Sequence, residues 1–412
     1  MKSKFKIDRP SNILAVFLIV ALVMLTVPAG TVHAATKFVL TKTILSPTPS
    51  GGGFFGLAMA AAGNNFVIGS RDCDEVLQVC GATHVFDSNG NVIRSIFVPT
   101  GETFSGFGEA VGAVGSNPLV GAYLDDTAGP DAGVAYLFDG ATGNLLQTFL
   151  NPNPAIGAPF SLDFFGRDVA GFGDDVLVGA TGEDLGAEDA GAVYLFDGAT
   201  GQLLVTIQDP TPDIQESFGS AITSFGNKIA ITAPFDDTAS ENGGAVHIYA
   251  GNGTLIRTLV SPQPVEFSQF GNALAAFGDD LLVTEPRGFT GNVRAGVVHL
   301  FDGDTGTLIR SYFNPTPNAF ELFGNSVAAS GNNVLIGALR NVKSRHAGAA
   351  YLFDGTTAQL RATLINPARD VTDSFAIQVA VIGDSLLVSS PFESSDPANI
   401  SEDGVVYLFQ PR

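Results

Sequence analysis

The dipeptide Phe-Gly returns along this chain at a nearly constant interval. It stands at Phe55-Gly56, Phe107-Gly108, Phe165-Gly166, Phe218-Gly219, Phe270-Gly271 and Phe323-Gly324, and Phe375-Ala376 keeps the position without the glycine. Successive spacings are 52, 58, 53, 52, 53 and 52 residues. A fixed period of this size marks a repeat architecture, in which one unit cannot bury its apolar faces alone and must stack on its neighbours.

Each copy follows the same course. In the third, Phe165-Gly166 leads into Asp168-Val169-Ala170, a turn at Gly173-Asp174-Asp175, and the run Val176-Leu177-Val178-Gly179-Ala180. An acidic loop follows, then Ala192-Val193-Tyr194-Leu195-Phe196, the turn Gly198-Ala199-Thr200-Gly201, and Leu203-Leu204-Val205-Thr206-Ile207. Four short runs rich in Val, Ile, Leu, Phe and Tyr, divided by Gly, Asn, Asp and Pro, predict four strands and no ordinary helix. The turn residues tolerate positive φ, as tight hairpins require. Four antiparallel strands, copied seven times, predict an all-β, seven-bladed β-propeller.

The chain ends predict how the ring closes. The last copy stops after its third strand, at Tyr407-Leu408-Phe409. Its missing fourth strand is supplied from the other end, where Leu40 to Pro47 align without gaps on Leu255 to Pro262, the fourth strand of copy four. Pairing the two would complete the last blade and protect a sheet edge.

Ahead of this strand, Lys2, Lys4, Lys6 and Arg9 precede an apolar run from Ile13 to Val27, followed by Pro28, Gly30 and Val32-His33-Ala34. A basic start, a short apolar core and a small-residue exit predict a signal peptide over residues 1–34. The expected mature chain is then one domain, residues 35–412, secreted or at the cell surface, with no membrane span after cleavage. It carries 16 basic and 40 acidic residues, a net −24. That balance excludes a nucleic-acid partner, which needs basic patches. Cys73 and Cys80 bracket six residues and are expected to form a local disulfide on export.

The Phe-Gly start and second strands such as Ile229-Ala230-Ile231-Thr232-Ala233-Pro234 resemble FG-GAP repeats, which build the propeller of integrin α-subunits and of many surface proteins. The resemblance covers all seven copies and implies a binding or adhesion role. Integrin-type repeats often place a calcium loop between the first and second strands. Here that connection is a turn such as Gly226-Asn227-Lys228, too short to supply six to eight oxygens. The family's calcium sites therefore do not carry over, and the expectation is no metal site and no cofactor.

In an antiparallel meander the tight 1–2 and 3–4 turns share one end of each blade. The longer 2–3 and 4–1 loops share the other, and loops on a rigid scaffold usually carry function. Most 2–3 loops are acidic, whereas blades 5 and 6 carry Arg287, Arg294, Arg340, Lys343 and Arg345. These five predict a basic sector for an anionic protein or glycan, gripped through Arg forks. His84, His247 and His299 fall in the third-strand column held elsewhere by Tyr136, Tyr194, Tyr351 and Tyr407, which predicts packing. Asn399-Ile400-Ser401 is a glycosylation pattern in an accessible loop. No nucleophile elbow, zinc helix or phosphate loop occurs, so no catalytic residue is expected. The expectation is a monomeric binding module. The alternatives are a hydrolase or lyase with acids in the central depression, and a structural envelope component.

Overall fold

The computed structural model describes residues 37–49, 53–74, 79–102, 104–154, 162–319, 321–339, 348–368, 374–394 and 403–412. The leader, Arg340, Lys343, Arg345, Asn399 and the side chains of Cys73 and Cys80 lie outside what it describes. Among the described residues the chain forms seven four-stranded antiparallel sheets, plus a two-stranded hairpin. The one short helix among them is a 3-10 turn, Asp126–Ala128. No helix among them is long and apolar enough to cross a membrane.

Blade 3 shows the pattern. Its strands are Phe165–Phe172, Asp175–Ala180, Ala192–Phe196 and Leu203–Gln208. The second and third are buried nearly throughout because neighbouring blades cover both faces, so they read as continuous apolar runs. The fourth, at the rim, buries Ile207 and leaves Leu203 and Leu204 exposed. First strands touch their neighbours all the way round, including Met59–Ala62 of blade 1 against Val379–Ile382 of blade 7.

Each seam between blades holds its own apolar cluster. The phenylalanine of every Phe-Gly or Phe-Ala pair is fully buried and plugs the seam with the preceding blade, as Phe165 does between blades 2 and 3. Its ring packs on two aromatics of its own third strand, Phe165 lying 5.8 Å from Tyr194 and 6.0 Å from Phe196. The glycine that follows is needed for two reasons. Gly166 has φ +92°, and a Cβ there would lie 2.6 Å from the Val134 carbonyl oxygen of blade 2. Ala376, in the seventh copy, is held at φ +69°.

Blade 7 is built from both ends of the domain. Val379–Ile382, Ser385–Ser390 and Val405–Pro411 are completed by the N-terminal strand Phe38–Leu45. Leu40 lies opposite Phe409 and Ile44 opposite Val406. Ile44 reaches the seam with blade 1, among Phe55, Phe66, Phe86, Val406 and Leu408.

Two 2–3 connections differ from expectation. In blade 1 the second strand, Asn65–Asp74, continues through Arg71, Asp72 and Asp74, and the third begins at Val79. Most of that acidic segment is therefore sheet, with Cys73 directly opposite Cys80 in the backbone register. In blade 5 the connection folds into the hairpin Phe289–Thr290 and Val293–Arg294.

Candidate functional site

The third-strand column of Tyr and His is buried in all seven blades, and its tyrosine hydroxyls meet residues of the 2–3 and 4–1 loops. A buried polar tip must be partnered or it costs stability. In blade 2 the Tyr136 hydroxyl donates to Asp125 Oδ2 at 2.7 Å, and in blade 3 the Tyr194 hydroxyl donates to Glu183 Oε2 at 2.8 Å. In blade 7 Tyr407 donates to Glu393 Oε1 at 2.5 Å. These acids stand in corresponding places, just beyond the second strand. Burial, then the adjoining carboxylate, pushes the Tyr136 and Tyr194 hydroxyls far above the ordinary phenol range.

Where histidine replaces tyrosine, Nδ1 is held by the fourth strand. It sits 2.8 Å from Ser95 Oγ for His84, 2.9 Å from Thr258 Oγ1 for His247 and 2.8 Å from Ser311 Oγ for His299. Nε2 then points where a tyrosine hydroxyl would. In blade 5 it lies 3.2 Å from Glu285 Oε2, a carboxylate that also accepts from Ser261 Oγ at 2.9 Å.

Blade 4 is different. His247 Nε2 lies 3.7 Å from Asp236 Oδ2 and 4.0 Å from Asp209 Oδ2, beyond hydrogen-bonding distance. Asp209 follows the fourth strand of blade 3, Asp236 follows the second strand of blade 4 (Lys228–Ala233), and His247 lies on its third (Ala245–Ala250). All three side chains are buried, and none of the three facing atoms has a hydrogen-bond partner. The carboxylates are fixed from behind, Asp209 Oδ1 accepting from the Thr211 amide at 2.8 Å and Asp236 Oδ1 from the Thr238 amide at 2.6 Å. Burial raises the Asp209 carboxyl. For Asp236 burial also pushes upward, but His247 and Thr238 outweigh it and leave the group below the usual carboxylate range.

Beside this cluster the loops of blades 3 and 4 enclose a cleft of about 700 Å³. Phe164, Ile214 and Phe235 give it apolar walls, while Asp189, Asp213, Glu216 and Asp237 make it acidic, with no Lys or Arg in the lining. The Glu216 side chain accepts from the Asp213 amide at 2.9 Å. Burial, then the charges of Asp209 and Asp236, pushes its carboxyl up to about 7. The cluster belongs to the mid-blade strands and their loops, not to the first strands that ring the axis.

The expected basic sector has a different local role where it is described. Arg294 Nε donates to the Arg287 carbonyl at 3.2 Å, another guanidinium nitrogen donates to the Glu266 carbonyl, and the group lies over Phe289. Arg294 thus ties its hairpin to the blade 4–5 connection, while Arg287 is exposed. Aligning the repeats on one another places His247 in its column but does not bring Asp209 or Glu216 beside it. A signal was present. At the exit of the fourth strand, Ser46, Val98, Asn151, Ser261, Asn314 and Asn366 are uncharged, and the one acid, Asp209, precedes a blade whose column residue is histidine.

The FG-GAP repeat family model matches residues 161–196 and 317–353, segments that span the first three strands of blades 3 and 6. No curated protein matches the chain.

Proposed function

We propose that this ring of FG-GAP repeats is a binding module, exported and displayed outside the cell, which takes a protein partner on its loop-bearing end. The repeats and the seven-bladed ring are the kind of scaffold that commonly serves protein interaction. The observation that carries the reading is the cleft between blades 3 and 4, where apolar walls meet four acids and no base. Such a lining complements an extended segment that presents Lys or Arg beside an apolar residue, through charge-assisted hydrogen bonds. The net −24 of the exported chain would also speed encounter with a basic partner, more so at low salt. Export would further oxidise Cys73 and Cys80. Opposed residues in an antiparallel pair have Cα atoms about 4.5–5.5 Å apart, a span that a disulfide bridges.

The test is a peptide array in which net charge and apolar content vary independently, probed with the intact protein and with the double variant Asp213→Asn, Asp237→Asn. Basic peptides should be captured, with affinity falling as salt rises, and the variant should lose roughly 10-fold or more. Capture of acidic peptides instead, weakened by replacing Arg287, Arg340, Lys343 and Arg345 with Ala, would support the other reading, an anionic partner on blades 5 and 6. The exposed side chain of Arg287 favours that alternative. Equal binding across charge classes would remove both.

A further inference from the structure

We infer that Asp209, Asp236 and His247 form a binding site for one divalent transition-metal ion, of the Zn²⁺ or Mn²⁺ class, buried between blades 3 and 4. The inference concerns a site distinct from the partner cleft and does not depend on that reading.

Three features carry it. Asp209 Oδ2, Asp236 Oδ2 and His247 Nε2 all lie within 4.8 Å of one another, are buried, and have no hydrogen-bond partner. Two buried carboxylate oxygens left facing each other are costly unless a cation lies between them. The separations of 3.7 and 4.0 Å from Nε2 are too long for hydrogen bonds. They suit ligands that each approach a central ion to about 2.0–2.2 Å after a small inward closure.

Each ligand atom is also aimed by a bond on its far side. The Thr211 and Thr238 amides hold the two carboxylates, and Thr258 holds Nδ1 of the imidazole. This is how proteins orient metal ligands, and it directs Nε2 toward the site. One imidazole with two carboxylates favours Zn²⁺ or Mn²⁺ over Mg²⁺ and Ca²⁺, which prefer oxygen alone.

The other blades act as an internal comparison. In blades 2, 3 and 7 a tyrosine hydroxyl meets the acid directly. In blade 5 Ser261 occupies the exit position and His299 reaches Glu285 at 3.2 Å. Among the described residues, only at the blade 3–4 seam does an acid at the exit meet both a second acid and a histidine.

The comparison also supplies variants that should fold. His247→Tyr installs the residue that four blades use in this column, and Asp209→Asn the residue that three blades use at the exit. Full-length protein would be stripped with chelator and titrated with Zn²⁺ or Mn²⁺ alone, following heat by calorimetry and the melting temperature. The wild type should take up one equivalent and melt higher with metal. Both variants should melt cooperatively yet bind at least ~100-fold more weakly. A folded wild type that takes up neither ion would overturn the proposal. So would variants that bind as well as the wild type.

Discussion

Replacing Ile44 by alanine tests whether the N-terminal strand holds the ring shut. Ile44 is 3% exposed and lies in the seam between blades 7 and 1, beside Phe55, Phe66, Phe86, Val406 and Leu408. The substitution removes three buried carbons. At ~0.8 kcal/mol each the transfer loss is about 2.4 kcal/mol, and the residual cavity places the expected cost at about 2–5 kcal/mol. Leu40, on the same strand but 41% exposed, is the matched control, and Leu40→Ala should cost under ~1 kcal/mol. Both would be measured by equilibrium urea unfolding of the folded protein. Because strands from both chain ends share one blade, Ile44→Ala should lower the midpoint of the main transition and not create a separate early one. Equal losses for the two variants, or an Ile44 effect confined to a minor early phase, would refute the reasoning.

Two further predictions concern backbone and charge. Gly166→Ala should cost at least ~2 kcal/mol, since it adds strain at φ +92° to a close approach to the Val134 carbonyl. By contrast Ala376→Gly should lie within ~1 kcal/mol of neutral, as relief at φ +69° offsets a lost methyl and a freer unfolded chain; similar losses in urea melts would contradict the pair. Asp168 accepts from the Ile222 amide of the next blade at 2.7 Å, and crowding near the ring axis pushes its carboxyl up to about 7, tempered by its partial contact with solvent. A raised carboxylate holds its proton longer in the folded state, so its contribution to stability falls as pH climbs from about 4 to about 7. The melting temperature of Asp168→Asn relative to wild type should therefore rise between roughly pH 4 and pH 8; a difference independent of pH would exclude the effect.

Much of the fold is legible in the chain because its signals repeat. The Phe-Gly interval marks the seams, positive-φ turn glycines mark the hairpins, and the match of Leu40 to Pro47 with Leu255 to Pro262 marks the closing strand. Local departures are less visible. The extension of Asn65–Asp74 through acidic residues follows from pairing with Val79–Phe86, and Arg294 is spent on carbonyls that only the folded loop brings near. The blade 4 cluster escapes a column-by-column reading for a physical reason. Asp209 belongs to one repeat and Asp236 and His247 to the next, so their meeting is a product of blade-on-blade packing.

A partner site on the loop-bearing end predicts that a captured basic peptide covers the cleft and leaves the tight turns open. Hydroxyl-radical footprinting of the full-length protein, with and without a captured basic peptide, measures this side chain by side chain. Ile214 and Phe235, exposed at the cleft, should be protected, while Leu203 and Leu204, near the tight-turn end, should react as before. Protection at Leu203 and Leu204 with an unchanged cleft would contradict it.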